Sequence, residues 1–495
     1  MRRLVIVLAL AAIVAPAAAA DDWTRYGYDA QVTNDIPVAT AQALGFDPST
    51  AGSLHQVWRA DLDGPIVASP LYLDGQSGTV YVATNAGSVY ALRASDGSVI
   101  WKQTFPTVTI ADDDCGTYGI SSTGVIDRDR GVLYVADADG DVHALDLITG
   151  AEPAGWPLQL PIDTATAYVW GGLTLAGSTL YVPVASYCDT PDPANGAYPN
   201  GGLYGVDVDT PANAGHFQVS PPETLGGIWG YGGASVDPLT GDLWVTTGNS
   251  EPLGAGETQG YAETVDELDP SLGVVAWNRP PGIPDADLDT DFGSTPTLFQ
   301  PDGCPPLAAA YNKNGELYVF NRDDLDAGAI WSMVIGPDDL ATPFVGQPSW
   351  SADNQELVVA NARVYDPTVV GGVTHFAATV GLAIGPGCTF PTKPTWIADV
   401  GAGVKPPALI VGNDVFVAGG DSSDFSVLDA RTGALLNTFF LENDMFSSPI
   451  LAGNEVIVGN AAGTVFAIAP PKAALSPKMT VQRLHLHRVR GNDAG

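Results

Sequence analysis

TVYVATNAGSVYALRASDGSVIW, residues 79–101, is the stretch on which the fold turns. It alternates apolar and polar residues, passes through Asn-Ala-Gly, alternates again, then runs through Asp-Gly to a tryptophan. Period-2 alternation on both sides of a tight turn marks an antiparallel hairpin with one face buried. VLYVADADGDVHALDLITGAEPAGW, residues 132–156, repeats the pattern. Weaker copies begin at Thr179, which carries an insertion, and span 242–277, 307–331, 356–396 and 414–439. The last copy, 455–471, stops before any closing tryptophan, and the units number eight. Ser69-Pro70, Thr295-Pro296 and Ser448-Pro449 signal a further strand ahead of their units. The strand missing from the eighth unit has a counterpart near the N-terminus, HQVWRADLDG at 55–64, with its own Trp58. Pairing the two would close a ring and remove the exposed edges of a row of sheets, which favours a propeller over a sandwich. The expected fold is all-β, a single eight-bladed propeller of four-stranded antiparallel blades over 55–471. Trp58, Trp101, Trp156, Trp277, Trp331 and Trp396 are expected to pack between blades.

Composition agrees. Among 495 residues, Gly 57 and Pro 39 suit many tight turns, and repeats override a domain count based on length. Arg2 and Arg3, the apolar run from Leu4 to Val14, and Ala18-Ala19-Ala20 read as a signal peptide (1–20) cleaved near Ala20. That run is too short for a bilayer, which takes roughly 20 residues, so an exported periplasmic or extracellular product without a transmembrane segment is expected. Residues 21–54 form a lead-in, and 472–495, with Lys472, Lys478, Arg483, Arg488 and Arg490, a basic solvated tail. A net charge of −36 argues against nucleic acid and anionic membrane as partners. Cys115, Cys188, Cys304 and Cys388 suggest two disulfides in an oxidising compartment, with three pairings open. Their spacings match no zinc pattern, and the six histidines are scattered. A monomer is expected.

The unit G-x-V-Y-A-L-D-x-x-T-G-x-x-x-W resembles the tryptophan-docking repeat of the pyrroloquinoline quinone (PQQ) propeller superfamily over nearly all of the mature chain. That fold serves quinone-dependent alcohol and polyvinyl-alcohol dehydrogenases as well as assembly scaffolds, so activity has to be argued at the site. GGASVDPLTGDLWVTTGNSEP, 232–252, is similar to the segment whose asparagine binds the Ca²⁺ that also touches PQQ; the resemblance points to Asn249, which is also a plausible turn residue. DADLDTDFGSTPTLF, 285–299, is similar to the segment that holds the catalytic aspartate, which implies Asp291 with Asp289 as alternate. Asp285, Asp287, Asp289 and Asp291 alternate, so an extended segment would crowd them on one side; a cation or bound protons would relieve this, and a solvated acidic loop is the bland reading. AYNKNGELYVFNRDD, 310–324, is similar to the strand whose lysine reaches the quinone, implying Lys313, otherwise an ordinary turn lysine.

Departures from the family pattern are several. The usual glutamate ligand has no counterpart in VPVASYCDTPD, 182–192, where only Asp189 could substitute. The aromatic that floors the quinone aligns with Tyr231, with Trp229 nearby. No vicinal cysteines and no haem-attachment motif occur, and no arginine stands near CGTYGISSTG, 115–124. Without haem, electrons would leave to an external acceptor. The placement of the cysteines resembles uncharacterised secreted members, which implies Cys115–Cys188 and Cys304–Cys388 pairs. Two readings follow: a PQQ- and Ca²⁺-dependent oxidoreductase acting on an alcohol or polyol, or a non-catalytic propeller that binds a protein or glycan.

Overall fold

Hairpins stack into blades in the order that the repeats run. The computed structural model describes residues 22–471 apart from 76–77, 110–115, 187–188, 190, 193–195, 199–200, 251–257, 282, 284–288, 337–345, 362–363, 367–372, 376–377 and 401–405. Blade 1 has the strands Leu71–Leu73, Thr79–Ala83, Ser88–Arg93 and Val99–Thr104, each antiparallel to the next. Blades 2 to 7 repeat this over residues 125–159, 174–218, 235–278, 297–334, 348–399 and 409–440. Blade 8 takes three strands from 450–469 and its outermost from His55–Asp61, antiparallel from His55 opposite Ala469 to Asp61 opposite Thr464 with a register shift between Gln56 and Trp58. The ring is therefore eight-bladed and closed by joining the two ends of the chain.

Burial differs from the expected one-sided pattern. The middle strands of blade 1 are buried almost throughout, and alternation survives only in its outermost strand, where Trp101 is buried between exposed Ile100 and Lys102. A blade is covered on both faces by its neighbours, so only its outer edge meets water. Tyr134 and Val142 of blade 2, for example, form one cluster with Leu180 and Val182 of blade 3.

The closing tryptophans supply much of this contact. Trp58 lies on Gly97 of blade 1, Trp101 on Gly150 of blade 2 and Trp396 on Gly433 of blade 7; a Cβ on those glycines would sit 2.6, 2.7 and 2.6 Å from the indole. The indole N–H groups of Trp101 and Trp396 donate to the carbonyls of Leu147 and Ala430 at 3.1 and 2.8 Å. Truncating such a tryptophan typically costs about 3–5 kcal/mol. Trp277 departs from the pattern at 42% exposure. Blade 5 offers it no Thr-Gly turn, because a 3₁₀ turn at Leu325–Ala327 takes that place.

The N-terminal segment does more than lead into the ring. Trp23 bridges Tyr72 of blade 1, and Thr24, Ala30, Gln31, Thr33 and Asn34 offer carbonyls to the N–H groups of Ile126, Val236, Leu298, Trp350 and Ile410. Those acceptors pair it with the innermost strands of blades 2, 4, 5, 6 and 7. Asp35–Ile36 ends the run as a short parallel strand beside Leu409–Val411. A helix, Val38–Leu44, then returns the chain toward blade 8. Cys304 and Cys388 form a disulfide between blades 5 and 6; Cys115 and Cys188 lie outside the described residues.

Candidate functional site

A cavity of about 250 Å³ opens where the loops of blades 3, 4 and 5 converge. The end of the second strand of blade 3 brings Ser186 and Asp189; the approaches to blades 3 and 4 bring Trp170 and Trp229; blade 4 brings Gly248 and Asn249. Blade 5 supplies Asp291, just ahead of its first strand, and Lys313, on the turn between its second and third.

Backbone bonds stitch these loops together. The N–H of Gly248 donates to Gly227 O at 2.8 Å, that of Gly226 to Asn249 O at 2.9 Å, and that of Lys313 to Asp291 O at 2.9 Å. Gly248 is required by closeness: a Cβ there would lie 3.0 Å from the Trp229 indole nitrogen and 3.2 Å from Asp291 Oδ1.

Lys313 is the electrostatic centre. Its ammonium donates to Asp289 Oδ1 at 2.5 Å and to Asp291 Oδ2 at 3.1 Å, and lies 4.9 Å from the centre of the Trp229 ring. Burial alone would lower its pKa, but the two carboxylates outweigh this and hold it above the ordinary lysine value. Asp291 Oδ1 accepts the backbone N–H of Asn249, so both oxygens of this buried carboxylate are oriented. Burial and the charge of Asp291 raise the pKa of Asp289, against the pull of Lys313. Asp189 is raised by burial too, partly offset by the Ser186 hydroxyl that donates to it. Two carboxylates thus share one ammonium, with Asp189 close by and paired only with a hydroxyl, and the arrangement favours a bound proton or a further cation.

Behind the cavity, Glu263 is fully buried and pushed up to about 7, mainly by burial. It accepts from the Thr290 hydroxyl and, at 3.2 Å, from Gln259 Nε2. The carbonyl of Thr290 accepts from Asn312 Nδ2 at 2.7 Å, which fixes the loop that presents Asp289 and Asp291.

Of the residues singled out in the sequence, Asp189, Trp229, Asn249, Asp291 and Lys313 line the cavity, and Asp289 reaches it through Lys313. Asp285 and Asp287 lie outside the described residues. Tyr231 does not line the cavity; it packs with Tyr26 and Val32 of the N-terminal segment, and Trp170 stands beside it, ring centres 6.1 Å apart. Sequence reading missed Trp170. Its signal was Trp170-Gly171-Gly172, which echoes Trp229-Gly230-Tyr231-Gly232-Gly233 one blade later. Among the described residues no arginine lines the cavity.

Comparisons with known proteins agree with this architecture. The family described as outer membrane protein assembly factor BamB matches residues 50–209. The quinohemoprotein alcohol dehydrogenase ADH-IIG of Pseudomonas putida is 29% identical over 127 residues, which are 24% of this chain and 16% of that protein. The match thus spans less than a fifth of that relative's length. Among solved structures, the quinohemoprotein alcohol dehydrogenase of Comamonas testosteroni superposes with a TM-score of 0.70 at 15% identity, over 94% of this chain and 82% of that one. A europium-containing methanol dehydrogenase gives 0.70 at 14% identity, over 91% and 98%. At such identities the structural likeness speaks for the fold alone.

Proposed function

With the chain taken as a PQQ-type eight-bladed propeller, we propose that it is an exported quinoprotein that oxidises an alcohol or polyol. One observation carries this reading: Trp229, Asn249, Asp291 and Lys313, which are far apart in sequence, face one cavity.

The donor set fits the implied groups. The Asn249 amide and the Asp291 and Asp189 carboxylates are hard oxygen donors suited to Ca²⁺ or a similar ion, and their crowding is what a cation relieves. The indole faces of Trp229 and Trp170 suit a flat ring system, and Lys313 suits anionic oxygens on it. When bound, PQQ would supply the two-electron acceptor and the cation a Lewis acid. The chain's own residues would do the rest. Asp291, held by Asn249 N–H on one oxygen and by Lys313 on the other, would take the substrate hydroxyl proton at its carboxylate. Lys313 would keep a fixed positive charge where negative charge develops. Trp229 and Trp170 would exclude water from one wall, and electrons would leave to an external acceptor.

The alternative, a non-catalytic scaffold for a protein or glycan, is favoured by the BamB-type family match and by the absence of an arginine anchor among the described cavity residues. Incubation with PQQ and Ca²⁺, desalting, and dye reduction with simple alcohols separate the two. Retained quinone absorbance and turnover, both lost in Asp291→Ala, support the enzyme. Neither signal in the wild type, with a folded protein, sinks it.

A further inference from the structure

Blade 2 carries a second constellation, on the turn that corresponds to the Lys313 turn of blade 5. Asp137 and Asp141 flank this turn, and His143 follows on the strand Asp141–Asp146. Asp137 and His143 are buried, while Asp141 is part-exposed. His143 Nε2 lies 3.3 Å from Asp137 Oδ2, and one ligand atom from each of the three residues falls within 4.8 Å of the other two. On the far side of the ring, Nδ1 is 3.0 Å from Glu152 Oε1. Phe105 lies against the imidazole, ring centres 4.0 Å apart, and fixes its plane.

Turn formation does not require a carboxylate at Asp137. Asp137 Oδ1 accepts the N–H groups of Asp139 and Asp141 at 3.0 and 2.9 Å. In blade 8, Asn460 Oδ1 does the same for Ala462 and Thr464 at 3.1 and 2.9 Å, so an amide is enough and Asp137 Oδ2 is left for another task. Where blade 2 has His143, blades 1, 5 and 8 have Tyr90, Tyr318 and Phe466. Where it has Asp141, they have Ser88, Glu316 and Thr464.

We propose that Asp137, Asp141 and His143 bind a divalent first-row transition ion of the Zn²⁺ kind, with Glu152 bonded to the far nitrogen of the imidazole. Ligands about 2.0–2.1 Å from a tetrahedral ion stand about 3.3 Å apart, which is the separation of His143 Nε2 and Asp137 Oδ2. A carboxylate on Nδ1–H leaves the Nε2 lone pair for a metal and sets the ring's direction. An imidazole among oxygens suits Zn²⁺ better than Ca²⁺ or Mg²⁺, which take oxygen ligands. Two carboxylates balance the dication, and the partial exposure of Asp141 gives an approach from solvent and room for water as a fourth ligand.

The test uses full-length protein treated with a chelator, desalted, loaded with ZnCl₂ and desalted again, with zinc counted by atomic spectroscopy and affinity read by calorimetry. Wild type should retain one equivalent more than His143→Ala, and zinc should raise the melting temperature of the wild type alone. Glu152→Gln should bind about tenfold more weakly. If His143→Ala fails to fold, Asp141→Asn replaces it and should lose the same equivalent. Repeating the count in an Asp291→Asn background removes any contribution from the blade 5 cavity, and the difference should persist there. Equal zinc in folded wild type and folded Asp141→Asn or His143→Ala would overturn the site and leave His143 as an imidazolium bridging Asp137 and Glu152. Zinc lost only with Asp291→Asn would overturn it as well.

Discussion

The turns of blades 5 and 2 are the same piece of backbone put to opposite electrostatic use. In blade 5, Asn312 N–H donates to Glu316 O at 3.1 Å and Gly315 N–H to Asn312 O at 3.0 Å; in blade 2 the matching bonds, Asp137 to Asp141 and Gly140 to Asp137, are 3.0 and 3.2 Å. Blade 5 places a cation, Lys313, on the turn and takes its carboxylates from the preceding loop. Blade 2 places the carboxylates on the turn and offers only an imidazole in return. The first site carries its own positive charge; the second is built to take one from solution. The repeat supplies a rigid position, and substitutions at that position decide the chemistry.

Removing the built-in cation should have the largest effect. Lys313→Met leaves Asp291 buried beside Asp289 without a counter-charge, and breaking a buried pair from one side costs about 3–5 kcal/mol. The exposure of Asp289, with a side chain 42% accessible, puts the expected loss at the lower end of that range. Urea unfolding should show it, and quinone retention should vanish with it. A stability unchanged from wild type would mean that the Lys313 ammonium is not what neutralises Asp291.

The support behind the blade 5 site should respond to pH. Glu263 is raised to about 7 in the folded state, above its unfolded value near 4.3. The stability that it contributes is therefore fully present below about pH 4 and is lost as pH rises through about 7. The urea midpoint should fall between pH 5 and pH 8, and Glu263→Gln should reduce that fall by roughly 2–3 kcal/mol, about two pK units at about 1.4 kcal/mol each. Asp266, buried and pushed up to about 8, should keep part of the slope in the variant.

These contrasts also show what could be read in advance. The hairpin alternation, the Asp-Gly turns and the detached strand around Trp58 announced the blades and their closure, because each is a local pattern repeated. Two-sided burial was hidden, since alternation along one strand does not reveal that a neighbour covers its other face. Trp277 looked like its fellows, but its partner turn belongs to blade 5, where the 3₁₀ turn at Leu325–Ala327 displaces the glycine contact. At the cavity, Asp291, Lys313 and Asn249 were legible from motif resemblance. Trp170 and Glu263 were not, because their roles depend on which loops the ring brings together. His143 carries no sequence mark among six scattered histidines, because its proposed ligand partners are carboxylates two and six residues away, a spacing set by the turn and outside the Cys/His patterns of zinc motifs.

Exchanging turn residues sharpens the comparison further. Asn312→Ala loses both the acceptor for Asn314 N–H at 2.8 Å and the donor to Thr290 O at 2.7 Å. Leaving that buried carbonyl unmet should cost about 1–3 kcal/mol and loosen the loop that holds Asp291, so that under the proposed function quinone retention and dye reduction decline together. A variant as stable as wild type would place the support of Asp291 elsewhere.

The smallest effect is expected from Asp137→Asn. The amide oxygen can accept the N–H groups of Asp139 and Asp141 as Asn460 does for its own turn, and its nitrogen can still face His143. In metal-free protein the unfolding free energy should stay within about 1 kcal/mol of wild type, the worth of one hydrogen bond. Zinc retention should nevertheless fall, because an amide brings no charge and is a poor ligand for that ion. Stability kept and zinc lost would separate the two tasks of this turn, whereas a large loss of stability without metal would show that the Asp137–His143 contact itself holds blade 2 together.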